Sequence, residues 1–409
     1  MRGMRSLACL LLLLIVTPAS AERVTALGGL AEWMRADREK RPPLSEQTFA
    51  KISVDKAGAA KALEALWRDR SEAVREERKK EVKDKTIRHG DKALRYEFKT
   101  RGRKPAGGRS LYISMHGGGG APARVNDQQW QNQIKLYKPK EGIYLAPRAP
   151  GDTWDLWHKG HIDPLYDRLI ETLVVFEDVN PDKVYLMGYS AGGDGVYQLA
   201  PRMSDRFAGA AMMAGHPNET SPLGLRNIPF ALQVGELDAA YKRNKIAAEW
   251  KIKLADLHKA DPSGYENFVE VREGKRHWMD LEDKVALPWM AKFERRRFPD
   301  KVVWKQDDVT HSRSYWLALP KDQIKARQLV VASREGQVIT VEKAEEVKKL
   351  TVMLNDEMLD LDQAVKVQSG GKVLFEGKVE RTVATIARTL AERGDRRMVF
   401  CAEVTVELP

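Results

Sequence analysis

The spacing of apolar residues changes its rhythm twice along the chain. Residues 22–91 follow a helical period, with Leu63, Leu66 and Trp67 on one face and a break at Pro42 and Pro43. From Leu94 short continuous apolar runs take over: ALRYEF, SLYISM, GIYLAP, KVYLMG, GAAMMAG, PFALQVG and NFVEVR. Between the later ones lie amphipathic stretches such as DPLYDRLIETLVVFEDV. Strands that are apolar on both faces must be covered on both faces. The alternation therefore predicts a doubly wound, mostly parallel sheet in an α/β fold. Past Pro299 the helices give out. RSYWLAL, QLVVASRE, QVITVEK, KKLTVMLN, AVKVQ, KVLFEGKV and VFCAEVTVEL read as strands, interrupted by one helix near Val383 to Arg393. These predict an antiparallel β-domain of sandwich type.

The expected organisation is a helical arm over 22–91, an α/β domain over 92–300 and the β-domain over 301–409. The arm is expected to pack as a scaffold against the back of the α/β domain. The β-domain either covers an apolar face of its neighbour or binds a polymer through Trp304 and Trp316. The short linker near Phe298 to Lys301 lacks the Gly/Ser or Pro texture of a free tether and favours covering.

Residues 1–21 stand apart from this material. Arg2 and Arg5 precede the apolar run Leu7 to Val16, and TPASA ends in a small-x-small pattern. That is a secretory signal peptide with cleavage expected after Ala21, too short in its apolar part to anchor the chain in a bilayer. The protein is expected to be exported, to periplasm or medium. Beyond the leader the only cysteine is Cys401, so no internal disulfide can form. The net charge of +11 includes Arg2 and Arg5. The remaining basic excess is spread over charged helical faces such as REERKKEVKDK, which serve solubility. No basic motif interleaved with aromatics points to nucleic acid.

The chemistry gathers around VYLMGYSAGGDG. A strand that ends at Met187 and turns sharply into a helix leaves room only for small residues beside the turning serine. Gly188-Tyr189-Ser190-Ala191-Gly192 thus reads as a nucleophile elbow, G-x-S-x-G between strand and helix. A serine hydroxyl needs a base, and in this topology acid and histidine follow in that order. Of the four histidines after Ser190, His277 follows the strand NFVEVREG and is the expected base. Asp238, just past FALQVG, is the expected acid, with Glu236 as its rival. SLYISMHGGGGAP places four glycines after a strand. The N–H groups of Gly117 and Gly118, with that of Ala191, can form an oxyanion hole, and His116 is expected to orient this loop. Trp154, Trp157, His216 and Trp278 are expected to border the substrate. No metal-ligand spacing is present and the chemistry requires no cofactor.

With HGGG, G-x-S-x-G, Asp and His in this order, the chain resembles the α/β-hydrolases over roughly Leu94 to Pro299. GYSAGGDG and the strand ending in GELD are similar to the secreted carboxylesterases grouped with polyhydroxybutyrate depolymerases and feruloyl esterases. It departs from the polymer depolymerases in reading HGGGG where they commonly carry a cysteine after His-Gly. The resemblance implies serine ester hydrolysis through an acyl-enzyme, with an ester, polymeric or small, as the binding partner. Two alternatives remain open at this point: a peptidase of the prolyl-oligopeptidase type, and a non-catalytic binding protein on the same fold.

Overall fold

A computed structural model describes residues 25–409. The expected signal peptide therefore lies outside the described residues. Among those residues, no helix is long and apolar enough to cross a membrane.

The central layer is an eight-stranded sheet made of β1 (Thr86–His89), β2 (Lys92–Arg101), β3 (Arg109–Met115), β4 (Gly142–Arg148), β5 (Val179–Tyr189), β6 (Gly209–Met213), β7 (Phe230–Gly235) and β8 (Asn267–Arg272). Their spatial order is β1-β2-β4-β3-β5-β6-β7-β8. The two hairpin-side pairings, β1 with β2 and β2 with β4, are antiparallel, and every pairing from β4 onward is parallel. All residues of β4, β6 and β7 are buried, as the uninterrupted apolar runs require. The seven sequence runs all appear as strands. β1 is the addition: Thr86–His89 alternates weakly and its pairing with β2 is what makes it a strand.

Helices cover both faces: α3 (Ala123–Leu136) and α7 (Ala286–Met290) one, α4 (Ile162–Phe176), α5 (Ala191–Arg202) and α6 (Arg243–Ala260) the other. Preceding them, α1 (Ala26–Arg35) is capped by Thr25, and α2 (Lys56–Lys83) by Asp55, whose carboxylate accepts the Gly58 N–H at 2.6 Å.

Past Pro299 the strands are β9 (Lys301–Lys305), β10 (Leu329–Glu335), β11 (Val338–Glu345), β12 (Lys349–Leu354), β13 (Val365–Ser369), β14 (Lys372–Gly377) and β15 (Ala402–Glu407), with α8 (Val383–Arg393) as the foreseen helix. They form two sheets. One runs β9-β10-β11-β13-β14; the other joins β12 and β15 to a tiny hairpin, Arg313–Ser314 with Leu317–Ala318. The pairing is antiparallel as expected, with one exception. β11 and β13 are parallel, because β12 leaves for the other sheet between them. Trp304 and Trp316 are buried in the core between these sheets, so neither is available to grip a polymer.

The arm divides its packing between two neighbours. Leu30, Phe49, Ala62 and Leu66 belong to the same apolar cluster as Val352, Ile386 and Leu390 of the β-region. The other half of α2 lies on α4, where Arg70 and Arg78 both pair with buried Glu171. The arm is thus a strut between α8 of the C-terminal region and α4 of the α/β domain, where the sequence suggested the α/β domain alone.

A seam of buried charge joins the α/β and β regions. Arg295 donates to Asp182 at 2.8 Å and to Asp395 at 2.7 Å, Arg397 donates to Asp182 at 2.9 Å, and Arg393 pairs with Asp205. Asp205 also accepts the Tyr315 N–H at 3.0 Å, and the Tyr315 hydroxyl donates to the Ser204 carbonyl. Burial alone would raise Asp205, but Arg393 and Arg313 outweigh it and hold the carboxyl below the usual range. Asp395 is lowered against the same desolvation by Arg295 and Arg206.

Candidate active site

Ser190 sits between β5 and α5 with φ 58° and ψ −123°. A side-chain-bearing residue in that region carries strain of about 1–3 kcal/mol, which the surrounding fold must hold. The reason for the glycines is steric. A Cβ on Gly188 would lie 2.2 Å from the Gly192 carbonyl oxygen, and one on Gly192 would lie 2.2 Å from that of Met115. Gly193 and Gly195 would similarly strike Met213 and Trp157. Small residues around Ser190 are thus the condition for α5 to start so close to β3 and β6. The turn is pinned by the Ser190 N–H donating to the Met213 carbonyl at 2.9 Å.

His277 and Asp238 arrive on the loops after β8 and β7. Those loops are stitched together through backbone: the Glu236 N–H donates to Arg272, and the Leu237 N–H to Lys275. Gly235 permits this, since a Cβ there would lie 2.2 Å from the Arg276 carbonyl oxygen. The result is a relay. His277 Nε2 lies 3.0 Å from Ser190 Oγ, and His277 Nδ1 lies 2.7 Å from Asp238 Oδ2. Asp238 is 2% exposed, whereas the His277 side chain is 43% exposed. Glu236, the rival acid, points elsewhere and accepts the Gly274 N–H at 2.9 Å.

Strand order, elbow, acid after β7 and histidine after β8 all coincide. This is the α/β-hydrolase fold.

The glycine loop after β3 lies against the elbow. A Cβ on Gly117 would be 3.1 Å from Ser190 Cβ. Among the described residues the Gly117 and Gly118 N–H groups meet no acceptor, and the Ala191 N–H opens α5 beside them. His116 holds the loop from beneath. The Ala149 N–H donates to its Nε2 at 3.1 Å, so Nδ1 carries the proton and donates to the Gly117 carbonyl at 2.6 Å. Burial pushes the His116 imidazolium down to about 4, which keeps the ring neutral and unsuited to act as base near neutrality.

Two positioning residues escaped the sequence reading. Buried Asn126 accepts the Gly119 N–H at 3.0 Å and donates to the Gly119 carbonyl at 3.0 Å and to Asp152 at 2.9 Å, clamping the glycine turn. Tyr189 donates its hydroxyl proton to the His277 carbonyl at 2.6 Å and accepts the Met279 N–H at 3.1 Å, fixing the histidine loop. Tyr189 stood in the unspecified position of G-x-S-x-G, and Asn126 in a polar helix face, so neither carried a motif signal.

The four expected border residues separate. Trp154, 64% exposed, backs onto Gly119 and Gly120; Trp278, 48% exposed, leans on the Tyr189 ring. His216 is half-buried; its backbone N–H donates to Asp194 at 2.6 Å and its Nδ1 accepts the Asn218 N–H at 2.9 Å. Burial lifts Asp194, one turn into α5, to about 6. Trp157 does not border a substrate. It is fully enclosed, donates its indole N–H to the His116 carbonyl at 3.0 Å and packs edge-on to the His116 ring. A tryptophan three residues from an exposed one on an irregular turn faces the opposite way. As for metals, the acidic group Glu219, Asp307 and Asp308 is already answered by Arg327, which pairs with both aspartates.

No protein-family model matches the chain. A protein of Nocardia uniformis subsp. tsuyamanensis named "Putative esterase NocK" is 30% identical over 141 residues, which is 32% of this chain and 40% of that protein, so the chain spans less than half of the relative's length. Solved structures with a similar fold include a thermostable esterase (16% identity, TM-score 0.40, covering 51% of this chain and 62% of the other). A feruloyl esterase module from Clostridium thermocellum has 16% identity and a TM-score of 0.37 over 51% of this chain and 86% of its own. LpqC, a poly(3-hydroxybutyrate) depolymerase from Bordetella parapertussis, has 16% identity and a TM-score of 0.35 over 50% and 86%. The strand order and register above define the hydrolase fold independently of these likenesses.

Proposed function

We propose that the protein is a serine hydrolase of carboxylic esters, with its chemistry in residues 92–300. The single observation that carries this reading is the Ser190–His277–Asp238 relay at 3.0 and 2.7 Å on a strained elbow. In the proposed reaction His277 Nε2 takes the Ser190 proton as Oγ attacks the ester carbonyl. The oxygen that becomes negative is met by the N–H groups of Gly117, Gly118 and Ala191, donors individually worth about 2.7–4 kcal/mol in such sites. Asp238 steadies the imidazolium. The proton then passes from Nε2 to the departing alkoxide, leaving the acyl group on Ser190. A water, deprotonated by the same nitrogen, releases the acid and restores the hydroxyl. Exposed Trp154 and Trp278 flank the opening and offer flat apolar surface to the acyl or alcohol part.

The apolar leader of residues 1–21, with its basic start and small-residue end, supports export of the mature chain. The test of the reaction is incubation with a fluorophosphonate probe followed by an activity panel. Labelling confined to Ser190 with turnover of p-nitrophenyl esters and not of peptide amides is expected. An unlabelled serine would refute the reading, and faster cleavage of amides would transfer it to a peptidase.

A further inference from the structure

A groove of about 860 Å³ opens on the sheet face that carries α3 and α7, toward the amino-terminal strand ends and so away from the loops that bear Ser190 and His277. Tyr112 of β3 floors it. Leu136 and Pro139, at the end of α3, form one wall; Val285, Leu287 and Pro288, around α7, form the other. The volume lies in the range of sites that enclose a small organic ligand.

The charge that surrounds this apolar trough is mostly positive. Lys138, Lys140, Lys183, Lys284 and Lys292 all border it. Lys183 is paired with Glu294 at 3.1 Å. Among the described residues the other four reach no carboxylate, whereas nearby Lys275 pairs with Asp280 and Glu282. Glu141 is the only acid in the lining, and its Oε1 is occupied with the Ser110 N–H at 3.3 Å. Four ammonium groups without a carboxylate partner thus border an apolar trough, and a ligand with a negative head and an apolar body complements both.

We infer that this groove binds a single-chain amphiphilic anion, a long-chain fatty carboxylate, with its chain along Leu136, Val285 and Leu287 and its head among Lys138, Lys140, Lys284 and Lys292. The charge excludes two other occupants. Residues 1–24 carry Arg2, Arg5 and Arg23 against Glu22 alone, and a second copy related by a two-fold axis would set this lysine rim against itself. The inference is independent of what Ser190 does.

The test is calorimetric titration of the full chain with sodium myristate below its micelle concentration, beside tetradecanol, butyrate and phosphatidylglycerol vesicles. Saturable one-to-one binding of myristate is expected, weakening as salt rises and unchanged in Ser190→Ala. The double variant Lys284→Glu/Lys292→Glu should weaken it about tenfold or more. Val285→Glu, at an exposed wall position where folding is not at stake, should do the same with an unchanged melting temperature. Equal binding of tetradecanol, undiminished binding in both variants, loss in Ser190→Ala, or response to vesicles without response to monomeric myristate would each overturn the assignment.

Discussion

Two polar constellations in this molecule use buried aspartates to opposite ends. At the mouth of the sheet, Ser190, His277 and Asp238 form a chain of single hydrogen bonds in which the middle member stays nearly half open to solvent. At the seam between the regions, Arg295, Asp182, Asp395, Arg393 and Asp205 are all buried and each charge meets a counter-charge. In the seam the protons are locked: Arg295, despite desolvation, is held more firmly charged by Asp395 and Asp182, and Asp205 and Asp395 are held ionised by the arginines. In the reaction proposed for the relay a proton must change hands. What separates chemistry from glue is therefore how much each group's protonation is allowed to vary, and not how many charges are present.

The sharpest break of this comparison is at the nucleophile. Ser190→Ala should cut ester turnover by roughly a million-fold while leaving the melting temperature near that of the parent. Next comes the acid. Asp238→Asn should cost about four orders of magnitude in turnover by favouring the wrong imidazole tautomer, whereas Glu236→Gln should leave the rate within a small factor, as measured on the same p-nitrophenyl ester. The seam should behave inversely. Arg295→Ala leaves Asp182 and Asp395 without their shared counter-charge and should lower stability by about 3–5 kcal/mol in denaturant titration, with turnover of the remaining folded enzyme retained. The smallest effect is on pH. Because Asp205 and Asp395 have folded-state values below their unfolded ones, their contribution is present above the unfolded value and is lost as pH falls below about 4. Melting curves should decline on that acid side. In the double variant Asp205→Asn/Arg393→Met the decline should be shallower.

How much of this was legible in the sequence depended on the separation of the partners. The elbow is local: Gly188, Ser190 and Gly192 constrain one another within five residues, and the loops that bring Asp238 and His277 beside it follow from topology once the strands are counted. The seam is not local. Arg295 and Asp182 are 113 residues apart, and Arg393 and Asp205 are 188 apart; among so many charged residues no spacing marks these as partners. Trp157 misled for a related reason, since an aromatic in a loop carries no period to say which way it faces. The parallel pairing of β11 with β13 was hidden because strand patterns record burial and not direction. Likewise the helical period of the arm announced an apolar face without naming what would cover it.

The strut formed by α1 and α2 sets the order of events during synthesis. Its apolar face, with Leu30, Phe49 and Leu66, shares a core with Ile386, Leu390 and Phe400, which lie far along the chain. While the chain emerges, that face has no partner for more than three hundred residues. Closure of this shared core must wait for α8, so it rests on contacts of very long sequence separation, the kind that form late and slow folding.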